Sequence, residues 1–92
     1  MITLRLPRDL AELMGGVDAV QRLPAAGTLG ELLQLLDARV PGILSRICEP
    51  GGRFRPHLNV FVGEENARLT GGLATRLADG AEVWVIQAVS GG

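Results

Sequence analysis

The sequence predicts an α+β fold, with one long helix packed on one face of a mixed sheet of four to five strands. Three observations predict it. Segments near both ends and in the middle alternate apolar and polar residues, the period-two mark of half-buried strands. Only residues 28–40 carry a sustained apolar stripe at helical spacing. The order strand, strand, helix, strand, short strand, strand leaves that helix one sheet face to cover, so the other face is open to solvent or to a partner.

Each element follows in order. "ITLRLP" places Ile2, Leu4 and Leu6 on one side and Thr3 and Arg5 on the other. "DLAELMGG" reads as a loop or a single helical turn ended by Gly15-Gly16. "VDAVQRL" reads as a second strand, completing a hairpin from Ile2 to about Leu23. The helix opens on Thr28 with Glu31 three residues later, a capping box that satisfies backbone N–H groups at the helix start. Its stripe is Leu29, Leu32, Leu33, Leu36 and Val40, with Leu35 extending it sideways. Gly30 weakens the first turn by roughly 1 kcal/mol relative to Ala. "PGILSRIC" predicts a short second helix with Ile43, Leu44 and Ile47 inward.

"EPGGRFRP" is a loop punctuated by glycine and proline. "HLNVFVG" is a strand with Leu58, Val60 and Val62 on one face and His57, Asn59 and Phe61 on the other. "GEENARLTGG" holds a turn and a short edge strand, and "LATRLADG" predicts a helical turn closed by Asp79-Gly80. The last strand, "AEVWVIQAV", separates Val83, Val85 and Val89 from Trp84, Ile86 and Ala88. Residues 1–89 therefore read as a single domain, followed by a flexible Gly-Gly tail over 90–92.

Composition narrows the function classes. Of the 92 residues, 47% are hydrophobic, which suits a globular domain with a modest core. The net charge is −1 and no block of like charge points to nucleic acid or an acidic membrane. The nine basic residues are all Arg, so the N-terminus is the sole primary amine in the sequence. One cysteine, Cys48, forbids an internal disulfide, and its apolar neighbours predict a buried thiol. No signal-peptide pattern and no stretch of membrane-spanning length is visible, so a soluble cytoplasmic protein is expected.

No catalytic apparatus is expected. His57 and Cys48 cannot supply the three or four close ligands a metal needs, so no metal site is expected. The carboxylates show no pairing for acid–base work, and the glycine pairs at 51–52 and 71–72 lack the lysine of a phosphate loop. Two features remain. Phe61, Trp84 and Ile86 point away from the predicted core, an apolar patch that suits a partner. The tail "AVSGG" carries no charged or bulky side chain after Val89 and reaches roughly 10 Å from Ser90 onward. Glycine lacks Cβ, so Gly91 and Gly92 can thread a narrow slot. The carboxylate of Gly92 is a poor electrophile until an ATP-using enzyme makes it an acyl-adenylate. Sulfide or a persulfide can then convert it to a thiocarboxylate.

These residues resemble the MoaD/ThiS family of ubiquitin-like sulfur carriers over essentially the whole chain. The matching pieces are "NVFVG", "GGLAT", "LADGAEV" and the terminal "AVSGG", and within the family "GGLATRLADG" is most similar to the CysO-type carriers of cysteine biosynthesis. The resemblance implies a β-grasp fold and a protein co-substrate with no bound cofactor. It implies that an E1-like enzyme adenylates Gly92 with ATP, while Gly91, Ser90 and Val89 thread into partner active sites. A sulfurtransferase, of rhodanese type or fed by a desulfurase persulfide, would supply the sulfur. In the CysO-type route a pyridoxal-phosphate synthase uses that sulfur, and a metal-dependent peptidase then restores the Gly-Gly end. Molybdopterin, thiamin thiazole or a thiosugar-type metabolite are the alternative acceptors; Gln87-Ala88, standing where molybdopterin-synthase subunits usually carry prolines, counts against the first. A non-covalent β-grasp binding module and a protein modifier are the readings from other classes.

Overall fold

The computed structural model of the chain describes residues 1–87. The elements run β1 (Ile2–Arg5), α1 (Arg8–Leu13), β2 (Val20–Leu23), α2 (Leu29–Arg39), α3 (Ile43–Ile47), β3 (Leu58–Val62), β4 (Glu65–Asn66) and β5 (Glu82–Gln87). Two short 3-10 turns, Ala67–Leu69 and Gly72–Ala74, bridge β4 to the last strand. The five strands form one sheet in the order β2-β1-β5-β3-β4. β5 runs parallel to β1, and every other pairing is antiparallel. β5 is therefore the central strand, between the two hairpins.

The helix forms as its residues dictate. Thr28 Oγ1 accepts from the Glu31 backbone N–H at 3.2 Å, and the Glu31 carboxylate accepts from the Thr28 N–H at 3.0 Å. Leu29, Leu32, Leu33 and Leu36 are wholly buried and Val40 nearly so. They pack on the core face of the sheet, built from Ile2, Leu4, Leu23, Leu58, Val60, Val83 and Val85. α3 starts where Asp37 Oδ1 accepts from the N–H groups of Gly42 and Leu44, at 3.2 and 3.0 Å. Gly42 sits at φ 95°, a left-handed turn that glycine enters without strain. Ile43 and Ile47 are buried as expected, and Leu44 is half-buried.

Three expectations need correction. Leu35 does not extend the stripe: it is 40% exposed, because the arc that α2 buries ends at Leu32 and Leu36. "LATRLADG" is not one helical turn. Only Gly72–Ala74 coils; Arg76 bridges Thr28 in antiparallel fashion, and the Leu77 N–H donates to the Gly27 carbonyl at 3.1 Å. Backbone bonding to the start of α2 holds this stretch extended. The second strand begins at Val20 rather than Val17, since Asp18 accepts from the Val20 N–H and turns the chain into the strand. Gly30 also acquires a reason: a Cβ there would sit 3.2 Å from the Leu73 carbonyl oxygen. The glycine lets the Gly72–Ala74 turn lie on the first turn of α2.

Among the described residues no helix is long and apolar enough to cross a membrane.

Candidate functional site

The open sheet face is built by strand alternation. On β5 the core takes Val83 and Val85, so Trp84 and Ile86 project outward and are 40% and 43% exposed. β3 sets Phe61 directly beside Trp84, and Asn59 beside Ile86. On the other flank β1 sets Arg5 beside Trp84, and β2 sets Val20 beside Arg5. One row thus crosses the sheet as Val20, Arg5, Trp84, Phe61.

Arg5 is the residue that sequence reasoning left out of this site. Its guanidinium carbon lies 4.7 Å from the centroid of the Trp84 ring. At a partly exposed site such stacking is worth about 0.5–1 kcal/mol. The Glu82 carboxylate approaches Arg5 Nε at 3.7 Å, beyond hydrogen-bond distance, and that nitrogen is buried with no partner among the described residues. The arginine therefore holds the indole in place more than it pairs a charge. The outward placement of Arg5 was readable from the alternation of β1; the ring it would cover was not.

The sequence-predicted residues fall into two groups. Phe61, Trp84 and Ile86 are brought together on adjacent strands, with Phe61 half-buried. Val89, Ser90, Gly91 and Gly92 lie outside the described residues. Gln87, paired with Leu58, ends β5 in the middle of the sheet, and the chain continues into residues 88–92 from there.

Elsewhere the chemistry is muted. Cys48 is buried, and burial pushes its thiol up from the usual value although Arg55 opposes the shift. It is less thiolate, hence less nucleophilic, than a free cysteine. Among the described residues no group of three or more His, Cys, Asp or Glu side chains is arranged to hold a metal. The glycine pairs at 51–52 and 71–72 meet across a shallow cleft with Arg53 and Arg68. Arg68 is committed to the fold there: it donates to the Arg55 and Leu58 carbonyls and lies over Phe54.

The model of the ThiS family matches residues 4–92. The chain belongs to the ThiS family. Sulfur carrier protein CysO of Mycobacterium tuberculosis is 36% identical over 93 residues, which cover 99% of this chain and 98% of that protein. The crystal structure of that CysO superposes with a TM-score of 0.86 at 33% identity, covering 97% of this chain and all of the other. The CysO of an Amycolatopsis orientalis BexX/CysO complex superposes with a TM-score of 0.87 at 27% identity, over the full length of both chains. Small archaeal modifier protein 3 of Haloferax volcanii is 32% identical over 91 residues, 99% of this chain and 98% of that protein. The fold is a ubiquitin-like β-grasp, and the resemblance to CysO-type carriers holds along the whole chain. This ThiS-family kinship supports a sulfur-carrier role.

Proposed function

We propose that this chain carries sulfur as a thiocarboxylate on Gly92 and hands it to an acceptor enzyme. The observation that carries the reading is the family match through residue 92, which includes the Gly-Gly end. An E1-like enzyme would join the Gly92 carboxylate to the α-phosphorus of ATP, releasing pyrophosphate. Sulfide would then displace AMP and leave the thiocarboxylate. If a sulfurtransferase presents a persulfide instead, its outer sulfur displaces AMP, and a second thiol cleaves the resulting acyl disulfide. The chain acts in this scheme as a cytoplasmic co-substrate and not as the catalyst.

The part of the described structure is to present the end. β5, paired with β1 over Glu82–Trp84 and with β3 through Gln87, is the post for residues 88–92, and the Trp84–Ile86–Phe61 patch is the surface on which the partner rests. That a structurally similar CysO forms a complex with BexX supports a protein partner for this chain. Its resemblance to CysO-type carriers favours cysteine biosynthesis as the destination, with a pyridoxal-phosphate synthase and a metal-dependent peptidase as later partners.

Intact mass after incubation with ATP, the adenylating enzyme and sulfide tests the proposal. The expected gain is one sulfur less one oxygen, lost when Gly92 is deleted. No gain with an active enzyme overturns it and favours a binding module. The small archaeal modifier relative favours a second reading, in which the activated end is passed to amines of other proteins. Larger covalent adducts in the same experiment would support that one.

A further inference from the structure

Beside the end of β5 lies an open cleft of about 590 Å3. α1 contributes Asp9 and Leu13, α3 contributes Arg46, and the approach to β3 contributes Arg55 and His57, with Gln87 at the margin. The charge is one-sided: two arginines share the cleft with a single carboxylate, and the His57 imidazole stands beside them. Among the described residues none of the three is in an ion pair. Arg55 is held in place, since its Nε donates to the Ser45 carbonyl at 2.9 Å. On the same wall Leu13 is 59% exposed, a large apolar side chain beside fixed positive charge.

We propose that this cleft docks an acidic, apolar-tipped rim on the adenylating enzyme that receives the Gly92 end. The inference rests on the sulfur-carrier reading and adds the chemistry of the partner. Five residues follow Gln87, and five extended residues span at most about 17 Å. The mouth of any chamber that takes Gly92 therefore lies within that reach of the cleft. Carboxylates on that mouth would find Arg46, Arg55 and His57, and an apolar side chain among them would find Leu13. Ile86 belongs to the open face and Gln87 to the cleft, so the two surfaces abut along β5. Complementary charge at such a place acts on encounter rate and partner choice more than on the chemistry that follows.

Arg46→Glu tests this against Arg76→Glu, the same charge change at an exposed arginine outside the cleft. The readout is kcat and KM for loading, with the adenylating enzyme that loads the wild-type chain. For Arg46→Glu, KM should rise about tenfold at low salt with kcat unchanged, and most of the difference should vanish near about 0.5 M NaCl. Arg76→Glu should shift KM by less than about twofold. Arg46→Gln should fall between wild type and Arg46→Glu, and melting curves should show all three variants folded. Equal effects of the two Glu variants, or a loss in kcat that salt does not restore, overturn the cleft. A wild-type chain that is never loaded overturns the sulfur-carrier reading and the cleft with it. A wild-type chain that loads beside an indifferent Arg46→Glu overturns the cleft alone.

Discussion

The two faces of β5 are neighbours in sequence and opposites in burden. Val83 and Val85 are 0% and 3% exposed and belong to the core that packs against α2; Trp84 and Ile86 are 40% and 43% exposed and lie outside it. The chain's one tryptophan, its largest apolar side chain, is thus on the outside, while the core is filled mainly by Leu, Ile and Val. Burying Trp84 would stabilise a small domain more than leaving it in water. Its position makes sense when one face of the strand holds the fold and the other is left for a partner.

The contrast can be broken or sharpened by substitution. The largest effect belongs to the buried side. Leu33→Ala removes a wholly buried side chain from α2. It should cost about 2–5 kcal/mol, read as a lower denaturation midpoint in urea. That is a large share of the roughly 5–15 kcal/mol that holds a typical domain together. Trp84→Ala comes next. It loses partial burial and the Arg5 stack, so stability should fall by only about 1 kcal/mol, while loading by the adenylating enzyme weakens. A stability loss as large as that of Leu33→Ala would show that Trp84 supports the fold rather than a partner.

The smallest effect is at the surface. The N-terminal ammonium donates to Asp79 at 3.0 Å, and that hydrogen bond and charge hold the Asp79 carboxyl below its ordinary value of 3.8. A depressed carboxylate stabilises the folded state above its unfolded value, and the contribution is lost as pH falls through the lower folded value. Asp79→Asn should therefore leave the melting temperature nearly unchanged near neutral pH, where solvent screens an exposed pair, and should flatten what pH dependence remains on acidification. Melting curves from neutral to acidic pH check both.

Local patterns were the legible part. The Thr28–Glu31 box, the Leu29-to-Val40 stripe and the alternation of β3 and β5 each depend on residues a few positions apart, and the structure contains all of them. Long-range geometry was not legible. Nothing near "TRLA" in the sequence says that its backbone will pair with Thr28 and Gly27 rather than coil. Leu35 matched a helical neighbour of the stripe, but the width of the buried arc is set by the sheet beneath it. In the candidate site, alternation placed Phe61, Trp84 and Ile86 outward. Arg5 stacks on Trp84 only because β1 and β5, far apart in sequence, lie side by side in parallel. The cleft is harder still, drawing on α1, α3, the approach to β3 and the end of β5 together.

The central position of β5 has a consequence for synthesis. Without it, the β1–β2 hairpin and the β3–β4 hairpin share no strand, and each exposes an apolar flank. A ribosome makes β5 after every other strand described here, so the halves cannot close until residues 82–87 have been made. Fragments from interrupted translation would stay open and be exposed to proteolysis.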